Sequence, residues 1–290
     1  TLFDPDASDS VSKVEVIDPE TNLEQDQTGN WEIGATYINV YQVGTASLSL
    51  ETGKTLTGRE MKDGEFRFTL TGLNGAPMPV GITGTSLTMP NGKLGHVVFP
   101  AIVYTDAHIG KTYTYTIEEV NGSLSGVSYD KSKYEVTVEV GSAVVNGSAT
   151  VTTQITYKRV ADVRGTEVNE TVTAGEVRFA NTYAADSTKV TLSGTKSLTG
   201  KNIADGMFNF VLTPVTAGAP MPASGTVSNT GTSFAFGEIE FTAAGTYQYT
   251  ISEENGGTTV NGMTYDGKVY NVTVEVTDNG AGQLLAVTTI

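Results

Sequence analysis

KTLTGREMKDGEFRFTLTG at residues 54–72 and KSLTGKNIADGMFNFVLTP at residues 196–214 are two copies of one segment, 142 residues apart. Further along, YTYTIEEVNG at residues 113–122 matches YQYTISEENG at residues 247–256. Because self-similarity in register marks repeated structural units, the sequence predicts tandem domains rather than one large domain. A chain of 290 residues has room for two or three domains of the usual size.

Short alternating runs between turn residues indicate that these domains are all-β. YEVTVEV at residues 134–140 alternates polar and apolar side chains, so Val136, Val138 and Val140 are predicted to share one face of a strand and to lie in the core. We therefore expect strands that pack as two sheets face to face. Asn-Gly pairs favour tight hairpin turns; they stand at residues 74–75, 91–92 and 121–122.

The closing strand of a domain is recognised from a short aromatic string. FANTY at residues 179–183 ends thirteen residues before Lys196, and YINVY at residues 37–41 ends the same distance before Lys54. The early string therefore corresponds to the end of a domain that precedes the first complete copy.

These positions set the expected domain limits. Residues 1–45 resemble the final strands of a preceding domain, residues 46–185 form a complete domain, and residues 186–290 form a second domain that lacks its final strand. Two explanations stay open: the chain is a piece of a longer tandem array, or the N-terminal strands of one molecule complete the second domain of the next.

Composition excludes several classes of function. The formal net charge of -15 disfavours binding to nucleic acid, and no apolar run is long enough for membrane contact by this segment. With no cysteine, neither disulfides nor thiolate metal sites are available. The two histidines show no ligand spacing. We therefore expect no cofactor and no bound metal.

Three polar residues recur in the same order in the repeats: a lysine in the first strand, a glutamate near the middle and an asparagine in the last strand. In the first domain they are Lys54, Glu119 and Asn181. The second domain has Lys196 and Glu253 in the matching places. Taken singly, such residues are usually exposed strand or turn residues. Their shared order and spacing favour one buried site in each domain.

Asn39 has the position of Asn181 in the early string, and its lysine and glutamate partners are expected outside its own domain fragment, either upstream or in a neighbouring molecule. Aromatic residues stand two positions before and after both asparagines, on the same face of an alternating strand. Glu118, next to Glu119, aligns with Ser252 and is therefore expected to point outward.

The strings K-x-L-x-G, D-G-x-F-x-F, Y-T-I-x-E and F-x-N-x-Y, in this order, resemble the isopeptide-forming domain of Gram-positive pilin shafts and fibrillar adhesins, a relative of the collagen-adhesin B-type domains. The resemblance covers nearly the whole chain and implies tandem Ig-like β-sandwich domains. It also implies that the lysine amine attacks the asparagine carboxamide and releases ammonia, while Glu119 or Glu253 assists proton transfer.

Physical chemistry states what this reaction requires. A lysine at its ordinary pKa of about 10.4 is protonated and cannot attack a carbonyl carbon. Burial among apolar side chains lowers the pKa of a lysine and raises that of a glutamate, which leaves a neutral pair able to move protons. Contact between amine and carboxamide supplies the effective concentration that an unactivated amide otherwise lacks.

The function expected from these features is a structural stalk of an extracellular, wall-attached fibre, with other copies or adjacent repeats as partners. Such a chain is no enzyme, because it modifies only itself. The alternative is an adhesin module that binds a host matrix protein or glycan through loops that differ between the copies. The longest unshared stretch, residues 83–107, is where that alternative predicts a binding site.

Overall fold

The computed structural model of the chain describes residues 42–290 in full and, before residue 42, only the backbone of four short strands. These strands are β1 (Val14–Val16), β2 (Leu23–Gln25), β3 (Trp31–Ile33) and β4 (Tyr37–Asn39). β1 pairs with β4, and β2 pairs with β3, both in antiparallel fashion. The assignment of residues 1–45 to a preceding domain lies almost wholly outside the described residues and stays a prediction.

Contacts within the chain define two compact units, one made mainly of residues before 182 and the other mainly of residues 182–290. The division lies near the expected boundary at residue 185, and the domain limits themselves stay predictions. The strands between residues 46 and 183 are β5 (Ala46–Leu48), β6 (Glu51–Thr57), β7 (Arg67–Leu73), β8 (Ser86–Pro90), β9 (His96–Val98), β10 (Ile102–Tyr104), β11 (Thr112–Val120), β12 (Val127–Ser128), β13 (Lys133–Val145), β14 (Ser148–Ala161), β15 (Glu167–Val172) and β16 (Arg178–Tyr183).

Two sheets enclose the core of the first unit. The larger sheet has the order β15-β14-β13-β11-β7-β8, and the smaller has the order β12-β16-β6-β9. Phe179 of β16 packs against Phe68 of β7 and Tyr134 of β13, with ring centroids 5.2 and 5.3 Å apart. These contacts join the two sheets face to face as a β-sandwich. The valines predicted for the core, Val136, Val138 and Val140, are buried.

One of the three Asn-Gly pairs predicted to form tight hairpin turns has the expected backbone conformation, and the other two do not. Asn74–Gly75 has positive φ at both residues, as does Asn146–Gly147 at the tip of the long β13–β14 hairpin. Within residues 42–290, the pairs at 91–92 and 121–122 show no positive φ. Asn91 is instead buried, and its Oδ1 accepts the backbone N–H of Phe66 at 2.7 Å.

The second unit repeats the larger sheet. Its strands are β17 (Thr188–Val190), β18 (Ser193–Thr195), β19 (Asn209–Pro214), β20 (Thr226–Ser228), β21 (Ser233–Ala235), β22 (Ile239–Phe241), β23 (Gly245–Glu253), β24 (Thr259–Val260), β25 (Met263–Thr264), β26 (Tyr270–Asp278) and β27 (Leu284–Thr289). The main sheet has the order β20-β19-β23-β26-β27, and three strand pairs flank it: β17-β22, β18-β21 and β24-β25. Its core is apolar and rich in phenylalanine and valine.

Residues 83–107, the longest stretch of sequence that the two copies do not share, nevertheless contribute strands to the common frame, and a binding site there stays a prediction. The stretch contains β8, β9 and β10, which pair with β7, β6 and β5. Their counterparts β20, β21 and β22 pair with β19, β18 and β17 in the same way. The two units therefore have the same pairing of strands in this region, although few of their side chains match.

The fold class is all-β, as predicted, with tandem sandwich-like units. The helical elements among residues 42–290 are two 3-10 turns, Asp106–His108 and Ala174–Glu176. Over the described part of the chain, no helix has the length and apolar character needed to cross a bilayer.

Candidate functional site

Lys54, Glu119 and Asn181 come together in the first unit, although 65 residues separate the first two and 62 the last two. Lys54 Nζ donates a hydrogen bond to Glu119 Oε2 at 2.8 Å. Asn181 Nδ2 donates to the other oxygen, Glu119 Oε1, also at 2.8 Å. A single carboxyl group therefore holds the amine on one oxygen and the carboxamide on the other.

Strand alternation places Asn181 in the interior. Along β16, Phe179, Asn181 and Tyr183 are buried while the residues between them are exposed, as the sequence predicted. Asn181 itself is 0% exposed, and Phe179, two positions earlier, fills the adjoining part of the core.

Two neighbouring glutamates of β11 have opposite surroundings. The side chain of Glu118 is 47% exposed and forms an ion pair with Lys133. The side chains of Glu119 and Lys54 are both 0% exposed. The outward position expected for Glu118 is thus observed, and Glu119 is the glutamate available to an interior reaction.

Asp130 completes the surroundings of the carboxamide, and the sequence reasoning missed it. Its backbone N–H donates to Asn181 Oδ1 at 2.8 Å. Its carboxylate accepts the backbone N–H of Ala180 at Oδ2 and that of Ser132 at Oδ1, at 2.7 and 2.8 Å. The signal that could have found it is the Tyr-Asp pair present in both repeats, Tyr129–Asp130 and Tyr265–Asp266.

The walls of the site are aromatic. Lys54 Nζ lies 4.7 Å from the ring centroid of Phe66, and Tyr134 covers Phe179 edge-on. The Tyr134 hydroxyl donates to the backbone oxygen of Arg178 at 2.8 Å and thereby fixes the start of β16. Water is excluded from the amine on all these sides.

Burial shifts both ionisable partners toward their neutral forms. Desolvation lowers the pKa of Lys54 below its ordinary value, and the hydrogen bond and charge of Glu119 oppose this only in part. Desolvation likewise raises the pKa of Glu119, against the opposing effects of Lys54 and Asn181. A neutral amine beside a protonated carboxyl is the pair that nucleophilic attack on an amide requires.

The arrangement can support a transamidation, in which the lysine nitrogen replaces the amide nitrogen of the asparagine side chain. The Lys54 amine and the Asn181 carboxamide bind the two oxygens of one carboxyl group, which keeps a nucleophile close to the amide that it would attack. The Asp130 N–H is directed at Asn181 Oδ1, where negative charge develops during attack. Glu119 contacts both the entering and the leaving nitrogen and can carry a proton between them.

The second unit contains the same lysine–glutamate contact. Lys196 Nζ donates to Glu253 Oε2 at 2.8 Å and lies 4.6 Å from the ring centroid of Phe208. The side chains are 12% and 4% exposed. Glu253 Oε1 is buried and has no hydrogen-bond partner.

Asn39, in the string YINVY at residues 37–41, is the other asparagine that the sequence predicted for a cross-link. The backbone of Asn39 ends β4 and pairs with Val14, but its side chain lies outside the described residues. Its role in a cross-link stays a prediction. Among residues 42–290 no group of three or more His, Asp or Glu side chains is arranged to hold a metal ion.

Comparison with known families gives one sequence match. The model of the FctA family, the Spy0128-like isopeptide containing domain, matches residues 50–184 and 192–290. No curated protein sequence matches the chain.

Solved structures give weaker likenesses. The major pilin protein (T-13) of Streptococcus pyogenes is 19% identical, with a TM-score of 0.32 over 84% of this chain and 94% of that chain. The shaft pilin spaA of Lactobacillus rhamnosus GG, as a D295N mutant, is 13% identical, with a TM-score of 0.23 over 84% of this chain and 99% of that chain.

Proposed function

The chain belongs to the FctA family of Spy0128-like isopeptide-containing domains, and from that premise we propose that it is a structural subunit of a bacterial surface fibre that cross-links itself through Lys54 and Asn181. The single observation that carries this proposal is the Glu119 carboxyl, which binds the amine and the carboxamide at 2.8 Å each in a site closed to water. A buried lysine without such a reaction would cost stability rather than add to it.

The reaction follows from the contacts. The neutral amine of Lys54 attacks Cγ of Asn181, and the charge that develops on Oδ1 is stabilised by the N–H of Asp130. Glu119 gives its proton to Nδ2 and receives one from the attacking nitrogen. The Cγ–Nδ2 bond breaks, ammonia leaves, and an Nζ–Cγ amide remains. Glu119 ends in its starting protonation state, and no outside reactant is needed.

The bond would join the first long strand of the domain to its last. It closes a loop of 127 residues, from position 54 to position 181. By analogy with the chain entropy of disulfide loops, the cross-link stabilises the folded state by about 4–5 kcal/mol. If tension enters through β6 and leaves through β16, it passes along covalent bonds and does not unravel the sandwich.

A load-bearing role at the cell surface is consistent with the rest of the chain. The amide does not depend on the redox state of the surroundings, and the cysteine-free chain has no disulfide to lose. Its partners in this role are other copies or adjacent repeats of a fibre outside the cell. The chain catalyses no reaction on other molecules in this proposal.

Intact-mass measurement of the folded chain tests the proposal. We expect a mass lower than that of the sequence by one ammonia, with the link mapped to Lys54 and Asn181 after proteolysis. Glu119→Ala should have the full sequence mass, whereas Glu118→Ala, the exposed neighbour, should keep the loss. A wild-type chain of full mass with both residues unlinked would refute the proposal.

The adhesin alternative has no comparable support. The stretch that suggested a binding loop, residues 83–107, contains three frame strands with counterparts in the second unit.

A further inference from the structure

Each unit has a buried asparagine that takes no direct part in the proposed reaction. Asn91 directly follows β8 in the first unit and is 1% exposed, and Asn229 directly follows β20 in the second unit and is 2% exposed. A carboxamide that is buried in this way needs partners for its oxygen and for both of its N–H groups. The partners show what the two asparagines hold in place.

The side chain of Asn91 binds backbone groups. Its Oδ1 accepts the N–H of Phe66 at 2.7 Å, and its Nδ2 donates to the backbone oxygens of Lys62 and Gly92 at 2.9 Å each. The N–H of Asn91 donates to the oxygen of Phe66 at 3.0 Å, and its oxygen accepts the N–H of Gly64 at 2.8 Å. Asn91 therefore fixes the loop at residues 62–66 at both of its ends.

Asn229 makes the same contacts in the second unit. Its Oδ1 accepts the N–H of Phe208 at 2.8 Å, and its Nδ2 donates to the backbone oxygens of Ala204 and Gly231 at 2.8 Å each. The N–H of Asn229 donates to the oxygen of Phe208 at 3.0 Å, and its oxygen accepts the N–H of Gly206 at 2.8 Å. The loop that contains the D-G-x-F string is thus held in one way in both units.

The residue that each asparagine fixes is the phenylalanine beside the lysine amine. Lys54 Nζ lies 4.7 Å from the ring centroid of Phe66, and Lys196 Nζ lies 4.6 Å from that of Phe208. Phe66 is 1% exposed, so its ring closes one side of the Lys54 site to water. Desolvation is the largest effect on Lys54 and lowers its pKa. The position of this ring therefore affects the state of the amine.

The loop that follows each asparagine also holds the backbone of the lysine. Between β8 and β9, the oxygen of Gly95 accepts the N–H of Lys54 at 2.7 Å. Between β20 and β21, the oxygen of Thr232 accepts the N–H of Lys196 at 2.8 Å. A Cβ atom at Gly95, which has a φ of +81°, would lie 1.9 Å from the Lys54 oxygen. The loop can approach the lysine this closely because a glycine stands there.

We propose that Asn91 is a positioning residue for the cross-linking of Lys54, which keeps the amine dry by fixing Phe66 against it. This inference rests on the proposed function, because it concerns the rate of that reaction. It adds a residue whose side chain binds the backbone of the surrounding loops and acts on the amine through the phenylalanine ring. Asn229 stands in the same relation to Phe208 and supplies a matched control.

The charges around the amine define what a change at Asn91 should do. Glu119 of β11 and Asp130, between β12 and β13, act on Lys54 and favour its charged form, whereas desolvation favours the neutral form. Asn91 is uncharged, so its replacement by alanine admits water without adding or removing a charge. The pKa of Lys54 should then rise toward its ordinary value. The acidic limb of the rate profile should move to higher pH with it.

The test follows cross-linking of the full chain by mass analysis while the denatured, unlinked protein refolds at a series of pH values. In Asn91→Ala we expect the acidic limb to lie about one pH unit above that of wild type, which makes the rate on that limb on the order of tenfold lower. Asn229→Ala should leave the rate and the limb of the Lys54–Asn181 reaction unchanged. A slower reaction with an unshifted limb would indicate a structural role only and overturn the proposal.

A second variant tests the route through the ring. Phe66→Ala should shift the acidic limb in the same direction, and the double variant with Asn91→Ala should shift it no further than Phe66→Ala alone. Shifts that add in the double variant would show that Asn91 does not act through Phe66, and the proposal would fail.

Two further outcomes are decisive. If Asn91→Ala does not refold, Asn91→Ser takes its place, and failure of both to refold would make the residue a folding determinant and overturn the positioning role. The wild-type chain separates this inference from the function on which it rests. A wild-type chain of full mass refutes the proposed function, whereas a cross-linked wild type with an unshifted limb in Asn91→Ala overturns this inference alone.

Discussion

The two units present one lysine–glutamate contact in two settings. The Nζ–Oε2 distance is 2.8 Å in each, and a phenylalanine ring lies under each amine. In the first unit the side chains are 0% exposed and both glutamate oxygens have partners. In the second unit the lysine is 12% exposed and one oxygen has none. The contact is therefore a property of the strand frame, while dryness and full hydrogen bonding come from the closing strand.

The largest difference between the units should appear when the cross-link of the first is removed. Lys54→Met keeps an apolar side chain of similar length but has no nucleophile. We expect the chain to regain the ammonia mass, and the first unit to lose about 4–5 kcal/mol of stability. That loss corresponds to a melting temperature lower by roughly 10–20 °C in differential scanning calorimetry.

Lys133→Ala is the matched control, since Lys133 forms an exposed pair with Glu118. Its effect should stay below about 1 kcal/mol. If Lys54→Met melts at the wild-type temperature, the stabilising role of the bond is refuted.

The rate of cross-linking in the first unit should rise to a maximum and then fall as the pH is increased. The reaction needs a neutral Lys54, so its rate falls as pH drops through the lowered pKa of that amine. It also needs a protonated Glu119, so its rate falls again as pH rises through the raised pKa of that carboxyl. Each limb should change about tenfold per pH unit.

The measurement is refolding of the denatured, unlinked chain at a series of pH values, followed by quenching and mass analysis. A rate that climbs steadily up to the ordinary lysine pKa of about 10.4 would instead indicate a solvated amine and contradict the dry site.

Two aspartates in matching positions, Asp130 and Asp266, should also differ in their effects. Asp130→Ala removes the carboxylate that holds Ala180 beside the reacting amide. We expect cross-linking of the first unit to slow on the order of tenfold, because small losses of alignment cost rate. Asp266→Ala, the counterpart in the second unit, should leave the Lys54–Asn181 rate unchanged. Equal rates for both variants in time-resolved mass analysis would show that the Asp130 carboxylate has no role in the reaction.

The smallest expected difference concerns the tyrosines. Tyr134→Phe deletes the hydrogen bond to the oxygen of Arg178 and should cost about 1 kcal/mol in urea unfolding. Tyr270→Phe, at a position that is 43% exposed, should stay within about 0.5 kcal/mol of wild type. A larger effect at Tyr270 than at Tyr134 would contradict a stabilising role for the hydrogen bond between Tyr134 and Arg178.

Several sequence inferences depended only on local order and were sound. Alternation on β16 placed Asn181 inward beside Phe179, and the alignment of Glu118 with Ser252 placed Glu118 outward. Other inferences failed because they treated a local pattern as sufficient. Asn91 precedes a glycine, as many turn residues do, but it is buried, and its side-chain oxygen accepts the backbone N–H of Phe66, 25 residues away in the sequence. The stretch at residues 83–107 differs in sequence between the units although its strands are shared, because pairing of backbones requires little identity of side chains.

The repeat, the all-β class and the order of the lysine, glutamate and asparagine can be read from the sequence, because strand periodicity and residue order are local properties of the chain. The fold was needed to find that Asp130 holds the carboxamide, that Glu119 bonds on both oxygens, and that Glu253 bonds on one. These facts depend on which distant strands lie side by side. Hydrogen-bond partners and exclusion of water are set by packing between segments more than 50 residues apart, and no local pattern encodes them.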